Sequence, residues 1–213
     1  MILVTFEGID GSGKSTQAQR LFNRLSKEGY PVEHFREPGG SVLPERIRSI
    51  LLDPSLSIHA LPELLLFCAA RAQLVDDRIR PALAEGTIVV CDRFYDSTTA
   101  YQGAGRQVAE LDWVRALNMR VTGGLEPDRT YLMALSPEEA RRRTRTRSEA
   151  DRMERSDHAF YRRVADAYER LAAEESDRIV RLDAARPMDD LAEEIWTDVR
   201  TVMDRSEGTA RSG

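Results

Sequence analysis

The sequence predicts an α/β fold, with a five-stranded parallel sheet and helices on both faces. Short runs rich in Val, Ile, Leu and Thr alternate with segments of helical periodicity along the chain. One run, Thr87-Ile88-Val89-Val90-Cys91, is apolar without alternation, which is typical of a parallel strand covered on both faces. A glycine-rich turn joins the first strand to the first helix. Strands connected through helices favour right-handed crossovers and therefore a parallel sheet.

The order of the elements follows from the same patterns. Five short runs predict strands at residues 2–6, 32–35, 87–91, 130–135 and 178–182. Helical periodicity predicts helices around residues 18–25, 45–52, 62–74, 97–102 and 111–121, then from residue 137, and at about 154–175 and 188–204. Ser136-Pro137-Glu138-Glu139 is a capping box with proline at the first helical position, so a helix begins there. Pro81 is expected to kink or end the third helix.

Length and charge limit the classes of protein that fit. The 213 residues suit one well-packed domain, which we expect to span residues 1–205, followed by a disordered tail at 206–213. The net charge of -5 argues against a general role in coating nucleic acid, which depends on clustered Lys and Arg. No stretch approaches the roughly 20 apolar residues of a membrane span. With no basic leader visible, we expect a cytoplasmic protein.

The two cysteines carry no predicted chemistry. Cys68 lies in an apolar helical run, and Cys91 ends a predicted buried strand. We interpret both as small core residues rather than as a disulfide or a metal-binding pair.

The glycine-rich turn Gly8-Ile9-Asp10-Gly11-Ser12-Gly13-Lys14-Ser15 fits the phosphate-binding pattern G-x-x-x-x-G-K-[ST] at every fixed position. Glycines let the backbone curl so that successive N–H groups face one anion, and the start of the helix adds its positive dipole end. Lys14 would then reach the terminal phosphates, and the Ser15 hydroxyl a magnesium ion. The alternative is an ordinary glycine-rich turn, but strand, loop and helix occur in the required order. The sequence therefore predicts binding of a nucleoside triphosphate.

Three loops are predicted to share one rim of the sheet, namely residues 8–15, 36–40 and 92–93. Each follows the carboxyl end of a predicted strand, and ligands of such sheets bind beyond those ends. This arrangement would bring Arg36 and Arg93 close to the phosphate-binding loop.

Residues 141–152 are dense in arginine. For the first of these arginines, a solvated helix face is the favoured interpretation. For Arg147 and Arg152 a functional role is favoured, because phosphoryl transfer needs positive charge and the phosphate-binding loop has no arginine. We therefore predict a small mobile lid over about residues 143–155 that closes over the nucleotide.

Six motifs follow one another along the chain: Phe6-Glu7-Gly8-x-Asp10-Gly11-x-Gly13-Lys14-Ser15-Thr16, Arg36-Glu37-Pro38-Gly39-Gly40, Phe67-x-x-x-Arg71, Asp92-Arg93-Phe94, Ser97-x-x-Ala100-Tyr101-Gln102-Gly103 and Arg147-x-x-x-Asp151-Arg152. Together they resemble the signatures of the thymidylate kinase family, from residue 2 to about 185. The resemblance implies a single P-loop kinase domain. It also implies phosphorylation of dTMP to dTDP by ATP with Mg²⁺ as cofactor, in a homodimer that serves dTTP synthesis.

The resemblance also implies roles for individual residues. The residues implied to bind ATP are Gly8, Ile9, Asp10, Gly11, Ser12, Gly13, Lys14, Ser15 and Thr16. Those implied to bind dTMP are Asp10, Arg36, Arg48, Phe67, Arg71, Arg93, Ser97, Thr98, Tyr101 and Gln102. The implied catalytic residues are Lys14, Arg93, Arg147 and Arg152. Ser15 and Asp92 would support the metal, largely through phosphates and water.

Within the implied dTMP site, each group has its own part. Asp10 would bond the 3′-hydroxyl, Arg36 and Arg93 would bind the monophosphate, and Tyr101 would crowd the ribose 2′ position. Phe67 would stack on thymine, with Arg71 and Gln102 at the base edge. The chain differs from the common family pattern at two points: Phe94 replaces a frequent Tyr, and position 98 varies within the family.

Elementary chemistry agrees with the implied base pocket. Phe67 and Arg71 are one helical turn apart, so a ring and a guanidinium can face the same ligand. Arginine only donates hydrogen bonds, so Arg71 suits a carbonyl such as thymine O4 and leaves the amino group of cytosine unpaired. Without the resemblance, a core position for Phe67 would be the favoured interpretation.

Two alternatives stay open. A kinase for another nucleoside monophosphate or for a deoxynucleoside would share the fold and the phosphate-binding loop, and only the base pocket distinguishes it. A non-catalytic ATP-binding module or regulatory partner is a different class, and Lys14, Ser15, Asp92 and the lid arginines argue against it. A GTPase switch would require an N-K-x-D motif, and the sequence contains none.

Overall fold

The computed structural model describes residues 2–144, 152–153 and 157–210, the last five by their backbone alone. Five parallel strands form one sheet in the order β2-β3-β1-β4-β5. They are β1 (Leu3–Glu7), β2 (Val32–Arg36), β3 (Ile88–Asp92), β4 (Arg129–Ala134) and β5 (Ile179–Asp183). The predicted fold class is confirmed, and each end of every predicted strand lies within one residue of its observed position.

Nine α-helices occur in the part of the chain that the structure describes. They are α1 (Lys14–Lys27), α2 (Val42–Leu52), α3 (Ala60–Leu74), α4 (Arg80–Ala84), α5 (Tyr95–Thr98), α6 (Leu111–Val121), α7 (Pro137–Thr144), α8 (His158–Glu174) and α9 (Met188–Ala210). Two π-helical segments, Val75–Ile79 and Thr99–Gly105, continue α3 and α5.

Pro81 has the expected effect on the third helix. A proline lacks the N–H donor, and its ring clashes with the carbonyl four residues earlier, which here belongs to Asp77. The π-helical segment that follows α3 spans that position and leads into α4. The regular part of the helix therefore ends before Pro81.

Side-chain caps fix two helix starts. The Ser136 hydroxyl accepts a hydrogen bond from the Glu139 N–H at 3.2 Å, which confirms the predicted start of α7. The Asp157 carboxylate accepts from the Phe160 N–H at 2.7 Å and caps α8.

Two predicted boundaries need comment. The last helix continues to Ala210, so residues 206–210 of the predicted disordered tail are helical in backbone, and residues 211–213 lie outside the described residues. The periodicity that predicted an end near Asp204 weakens in a polar stretch, which gave no signal for continuing the helix. Most of the predicted lid, residues 145–151 and 154–155, also lies outside the described residues.

Both faces of the central strand β1 are buried, which explains why its sequence does not alternate. Val4 and Phe6 pack into a cluster with side chains of α1 and α9. Leu3 packs on the opposite face with the π-helical segment Val75–Ile79 and α4. Cys68 and Cys91 are buried free thiols, as predicted. No helix among the described residues combines the length and apolar character that a membrane crossing requires.

Candidate active site

The loop between β1 and α1 has the geometry of an anion-binding turn. Gly13 caps α1 with φ 91°, a left-handed conformation that favours glycine. Gly8 has φ 138°, and a Cβ at this position would lie 2.7 Å from the Met133 carbonyl oxygen. The first N–H groups of α1 have no acceptor within the helix, so they are available to an anion at this end.

Lys14, Asp10 and Arg93 form a charge cluster at this loop. Asp10 Oδ1 lies 2.6 Å from an Arg93 guanidinium nitrogen and 3.3 Å from Lys14 Nζ. The Tyr101 hydroxyl donates to the other Asp10 oxygen at 3.2 Å. Burial alone would raise the pKa of Asp10, but Arg93 and Lys14 outweigh it and hold that pKa well below its usual range. Two cations share one carboxylate, so the cluster keeps a positive charge to offer a phosphate.

The Arg93 guanidinium is fixed by several acceptors. It donates to the Gly8 carbonyl at 3.1 Å and to the Ser97 hydroxyl at 3.0 Å, in addition to Asp10. The guanidinium also lies over the Tyr101 ring, 4.9 Å from its centroid. The predicted meeting of the loops after β1 and β3 is therefore confirmed, because Arg93, which directly follows β3, contacts the backbone of the other loop.

Glu7 holds the turn that carries Arg93. Its buried carboxylate accepts from the Phe94 and Ser97 N–H groups, and from the hydroxyls of Ser97 and Tyr168 at 2.6 and 2.9 Å. Burial raises the pKa of Glu7 to about 7. These hydrogen bonds fix the chain beyond β3 beneath the Arg93 side chain.

A cavity that is open at its mouth begins at this charge cluster. Its lining consists of Asp10, Glu37, Pro38, Arg48, Leu52, Phe67, Arg93, Ser97, Thr98, Tyr101, Gln102 and Met153. Eight of the ten residues that the resemblance implies for dTMP are in this lining; Arg36 and Arg71 are not.

Arg71 lies behind the cavity wall. Only 1% of its side chain is exposed, and it donates to the Glu37 carboxylate at 2.7 Å, the Thr98 hydroxyl at 2.8 Å and the Phe94 carbonyl at 3.1 Å. Phe67, one turn earlier on α3, does line the cavity. In this conformation buried acceptors hold the Arg71 side chain, and it is not among the residues that line the cavity. Its contact with a base stays a prediction.

Two other arginines are predicted to bind the monophosphate side of the ligand or to line its pocket. Arg36 ends β2, is half exposed, and pairs with both carboxylate oxygens of Glu45 at 3.2 Å. Arg48 lines the cavity and donates to the Pro38 carbonyl at 3.2 Å. Both can turn toward an anion, since neither is enclosed by the core.

Arg152 is held by acceptors on α2 and α3. Its guanidinium donates to the Leu51 carbonyl at 2.8 Å and to the Glu63 carboxylate at 2.6 Å. The proposed contribution of Arg152 at the phosphates stays a prediction. Arg147 lies outside the described residues.

Four buried groups of the site have no role in the sequence-based prediction: Glu7, Glu37, Glu63 and Tyr168. Two of them are carboxylates in otherwise apolar runs, Glu7 at the end of β1 and Glu63 in the first turn of α3. That contrast is the signal that could have identified them. Tyr168 sits in the periodic apolar face of α8 and gives no such signal.

The rim could also accommodate a cation. Asp92 Oδ1 is buried and lacks a hydrogen-bond partner among the described residues, and Ser15 is exposed at the first turn of α1. No group of three or more His, Cys, Asp or Glu residues in the described part of the chain could hold a metal. This donor set suits an ion that takes most of its ligands from phosphates and water.

Known proteins have sequences similar to that of this chain. The family model described as thymidylate kinase matches residues 6–195. A thymidylate kinase of Chlorobium chlorochromatii is 47% identical over 211 residues, covering 94% of this chain and 95% of the relative. One from Deinococcus radiodurans is 46% identical over 198 residues, covering 93% of this chain and 96% of the relative.

A solved structure supports the same assignment at the level of the fold. The crystal structure of thymidylate kinase from Ehrlichia chaffeensis matches with a TM-score of 0.77 and 32% identity. The match covers 93% of this chain and 98% of that one. Since the family model and the relatives both span nearly the whole chain, this protein belongs to the thymidylate kinase family.

Proposed function

We propose that this chain is a cytoplasmic kinase that transfers the γ-phosphoryl group of ATP to dTMP, giving ADP and dTDP. The main support for this proposal is that one cavity is lined both by groups that suit a base and by charged groups that suit a phosphate. Phe67 and Gln102 lie at the end that suits a base, and Asp10 and Arg93 lie at the end that touches the phosphate-binding loop. A nucleoside monophosphate in this cavity would present its phosphate to a nucleotide held by the loop.

In this reaction the protein would act mainly by positioning the substrates and neutralising the negative charge of their phosphates, because phosphoryl transfer needs little covalent catalysis. Lys14, at the start of α1, would neutralise the terminal phosphates of ATP. Arg93 is tied to the Gly8 carbonyl, so its guanidinium would bridge the donor loop and the acceptor phosphate. Arg147 and Arg152 would add positive charge from the lid.

The remaining phosphate and sugar contacts follow from the lining. Arg36 directly precedes the lining residues Glu37 and Pro38 and would bind the monophosphate with Arg93, and Arg48 lines the same cavity. Asp10 would accept a hydrogen bond from the 3′-hydroxyl. Tyr101 occupies the space beside Asp10, where a ribose 2′-hydroxyl would have to fit.

Magnesium fits the donor set at the rim. Ser15 and Asp92 would hold Mg²⁺ largely through phosphates and water, and the unpartnered Asp92 oxygen is the observation that supports this. When bound, the ion supplies positive charge to the phosphoryl oxygens.

The base end of the cavity suits thymine. Stacking on Phe67 could add about 1 to 3 kcal/mol but hardly distinguishes one base from another. Arg71 only donates hydrogen bonds, so the contact proposed for it would favour a base that presents a carbonyl.

A panel of substrates tests the proposal. We expect strong preference for dTMP when dTMP, dUMP, dCMP, dGMP and dAMP are offered separately with ATP and magnesium, and ADP formation is measured. Because a methyl group in a pocket is worth about 1 to 3 kcal/mol, dUMP should remain a weaker substrate by roughly 10- to 200-fold in kcat/KM. Preference for another monophosphate would contradict the thymine assignment, and absence of turnover with all five would favour a binding module.

We also propose that two copies of the chain associate. Among the described residues, six of the nine exposed large apolar side chains lie on the helices α2, α3 and α6, namely Val42, Leu43, Ile50, Leu61, Leu65 and Trp113. A second copy that covers this surface would remove them from water. Sedimentation should give a dimer, and Leu61→Glu with Leu65→Glu should give a monomer. A wild-type monomer at the concentrations of the kinase assay would contradict the proposal.

A further inference from the structure

Glu63 is a buried carboxylate on α3 with three donors around it. One oxygen accepts from Gln102 Nε2 at 3.0 Å and from Arg106 Nε at 3.1 Å, and the other accepts from Arg152 at 2.6 Å. Only 1% of its side chain is exposed. The residue lies in the first turn of α3, where an acidic side chain is common, but here it is buried within the stretch Leu61-Pro62-Glu63-Leu64-Leu65.

The contact with Gln102 determines which end of its amide reaches the cavity. All three groups donate to Glu63, so its carboxylate acts only as an acceptor. Gln102 must therefore turn its amino group to Glu63 and its carbonyl oxygen Oε1 elsewhere. Gln102 is buried and lines the cavity, and Oε1 accepts no hydrogen bond from a described residue. The free Oε1 is thus an acceptor offered to a ligand.

An acceptor at this position distinguishes pyrimidines by their N3 atoms. N3 of thymine or uracil carries a hydrogen and can donate to Oε1. N3 of cytosine is itself an acceptor, so it would face Oε1 with no proton between them. An amide that could rotate would lose this distinction, because its Nε2 could donate to cytosine N3.

We propose that Glu63 is a positioning residue for base selection, which excludes cytosine by holding the Gln102 amide in one orientation. This inference rests on the proposed function, because it assumes a pyrimidine monophosphate in the cavity. Glu63 does not touch the base. It acts through Gln102, and it is buried too deeply to reach solvent or ligand.

A merely structural role is the competing explanation, since Glu63 also neutralises Arg106 and Arg152. The two roles predict different kinetics. Loss of a structural ion pair should lower the activities with dTMP and dCMP together. Loss of amide orientation should change their ratio, because the two substrates differ only in the base, and any effect of Glu63 on Arg152 applies to both substrates and cancels in the ratio.

The test replaces Glu63 with Gln, whose amide can either accept from Gln102 or donate to it. We expect the ratio of kcat/KM for dTMP to kcat/KM for dCMP to fall about tenfold or more, the size expected for an unsatisfied buried polar group. Glu63→Asp keeps an acceptor-only side chain and should preserve the ratio.

Arg106→Met is the matched control. It removes another partner of Glu63 while its stem still covers the Phe160 ring, which the Arg106 guanidinium approaches to 4.5 Å. The ratio should stay within about twofold of wild type in this variant, because the Gln102 contact is intact. Glu63→Gln leaves Arg106 and Arg152 without their carboxylate, and if it does not fold, it is replaced by the double variant Glu63→Gln, Arg106→Met, which removes one charge of each sign. The ratio of kcat/KM for dTMP to that for dCMP should fall in the double variant too.

The outcomes separate the two proposals. An unchanged ratio in folded Glu63→Gln or in the double variant would overturn the inference, as would an equal fall of the ratio in Arg106→Met. A wild-type enzyme that does not use dTMP at all would overturn the proposed function and this inference with it.

Discussion

An enzyme with Lys14 replaced by alanine is expected to lose about 10³-fold in kcat, with little change in KM for dTMP. Lys14 begins α1, and its largely buried ammonium group lies 3.3 Å from Asp10 at the phosphate-binding loop. Its positive charge would act on the phosphoryl group that is transferred, and not on the base. Initial rates of ADP formation over a range of dTMP concentrations measure both constants.

Lys27→Ala is the control for this experiment. Lys27 ends the same helix, is exposed, and its removal changes the charge by the same amount. Its kinetics should match wild type, and thermal unfolding of both variants should show that each folds. A Lys14→Ala enzyme with nearly normal kcat would show that the loop does not act on the transferred group.

The fold could be predicted from local signals because those signals were consistent. The buried strands are short apolar runs, and Ser136 and Pro137 mark a helix start in sequence as well as in structure. The end of α9 could not be predicted, because the polar residues after Asp204 carry no periodicity. A helix boundary in such a stretch depends on weak propensities rather than on burial.

The site was predictable where motifs fix the backbone, and less so where contacts come from distant parts of the chain. The phosphate-binding loop and Arg93 lie together because β1 and β3 are neighbours in the sheet. Arg71 was expected to face a ligand, but Glu37, 34 positions away, holds it behind the wall. The spacing of residues in the sequence predicts which face of a helix a side chain lies on. It does not predict which acceptor from another segment a long side chain will bond.

The carboxylates that support the site show the same limit. Glu7 and Glu63 are each surrounded by donors from segments far away in sequence. An isolated glutamate in an apolar run indicates a buried acceptor, because burying a charge without partners is costly. The donors that pair with such a glutamate lie in distant segments of the chain, so only the structure identifies them.

Arg93 is the residue whose side chain makes the most contacts at the predicted reaction centre. It contacts Asp10, the Gly8 carbonyl and the hydroxyls of Ser97 and Tyr101. Its backbone is in the left-handed region, with φ 74°. Replacement by methionine keeps the Cβ, so backbone strain is unchanged and the loss can be attributed to the guanidinium.

We expect Arg93→Met to lower kcat/KM for dTMP by about 10³-fold, with a fall in kcat as well as a rise in KM. The guanidinium would neutralise the acceptor phosphate in the ground state and the transferred group in the transition state. Asp10 retains Lys14 and Tyr101 as partners, so the variant should fold. Arg93→Lys should recover part of the activity, because an ammonium group keeps the charge but cannot bond Gly8 and Asp10 with a planar fork.

Arg78→Met provides the matched control for Arg93→Met. Arg78 is about half exposed, and its ion pair with Glu33 at 3.2 Å lies at the surface. Loss of the same charge there should leave kcat and KM unchanged, since exposed ion pairs contribute little. A rise in KM alone for Arg93→Met would show that Arg93 only binds dTMP. An effect equal to that of Arg78→Met would exclude it from the reaction, and the positive charge at the acceptor phosphate would then have to come from Arg36, Arg48 or the lid.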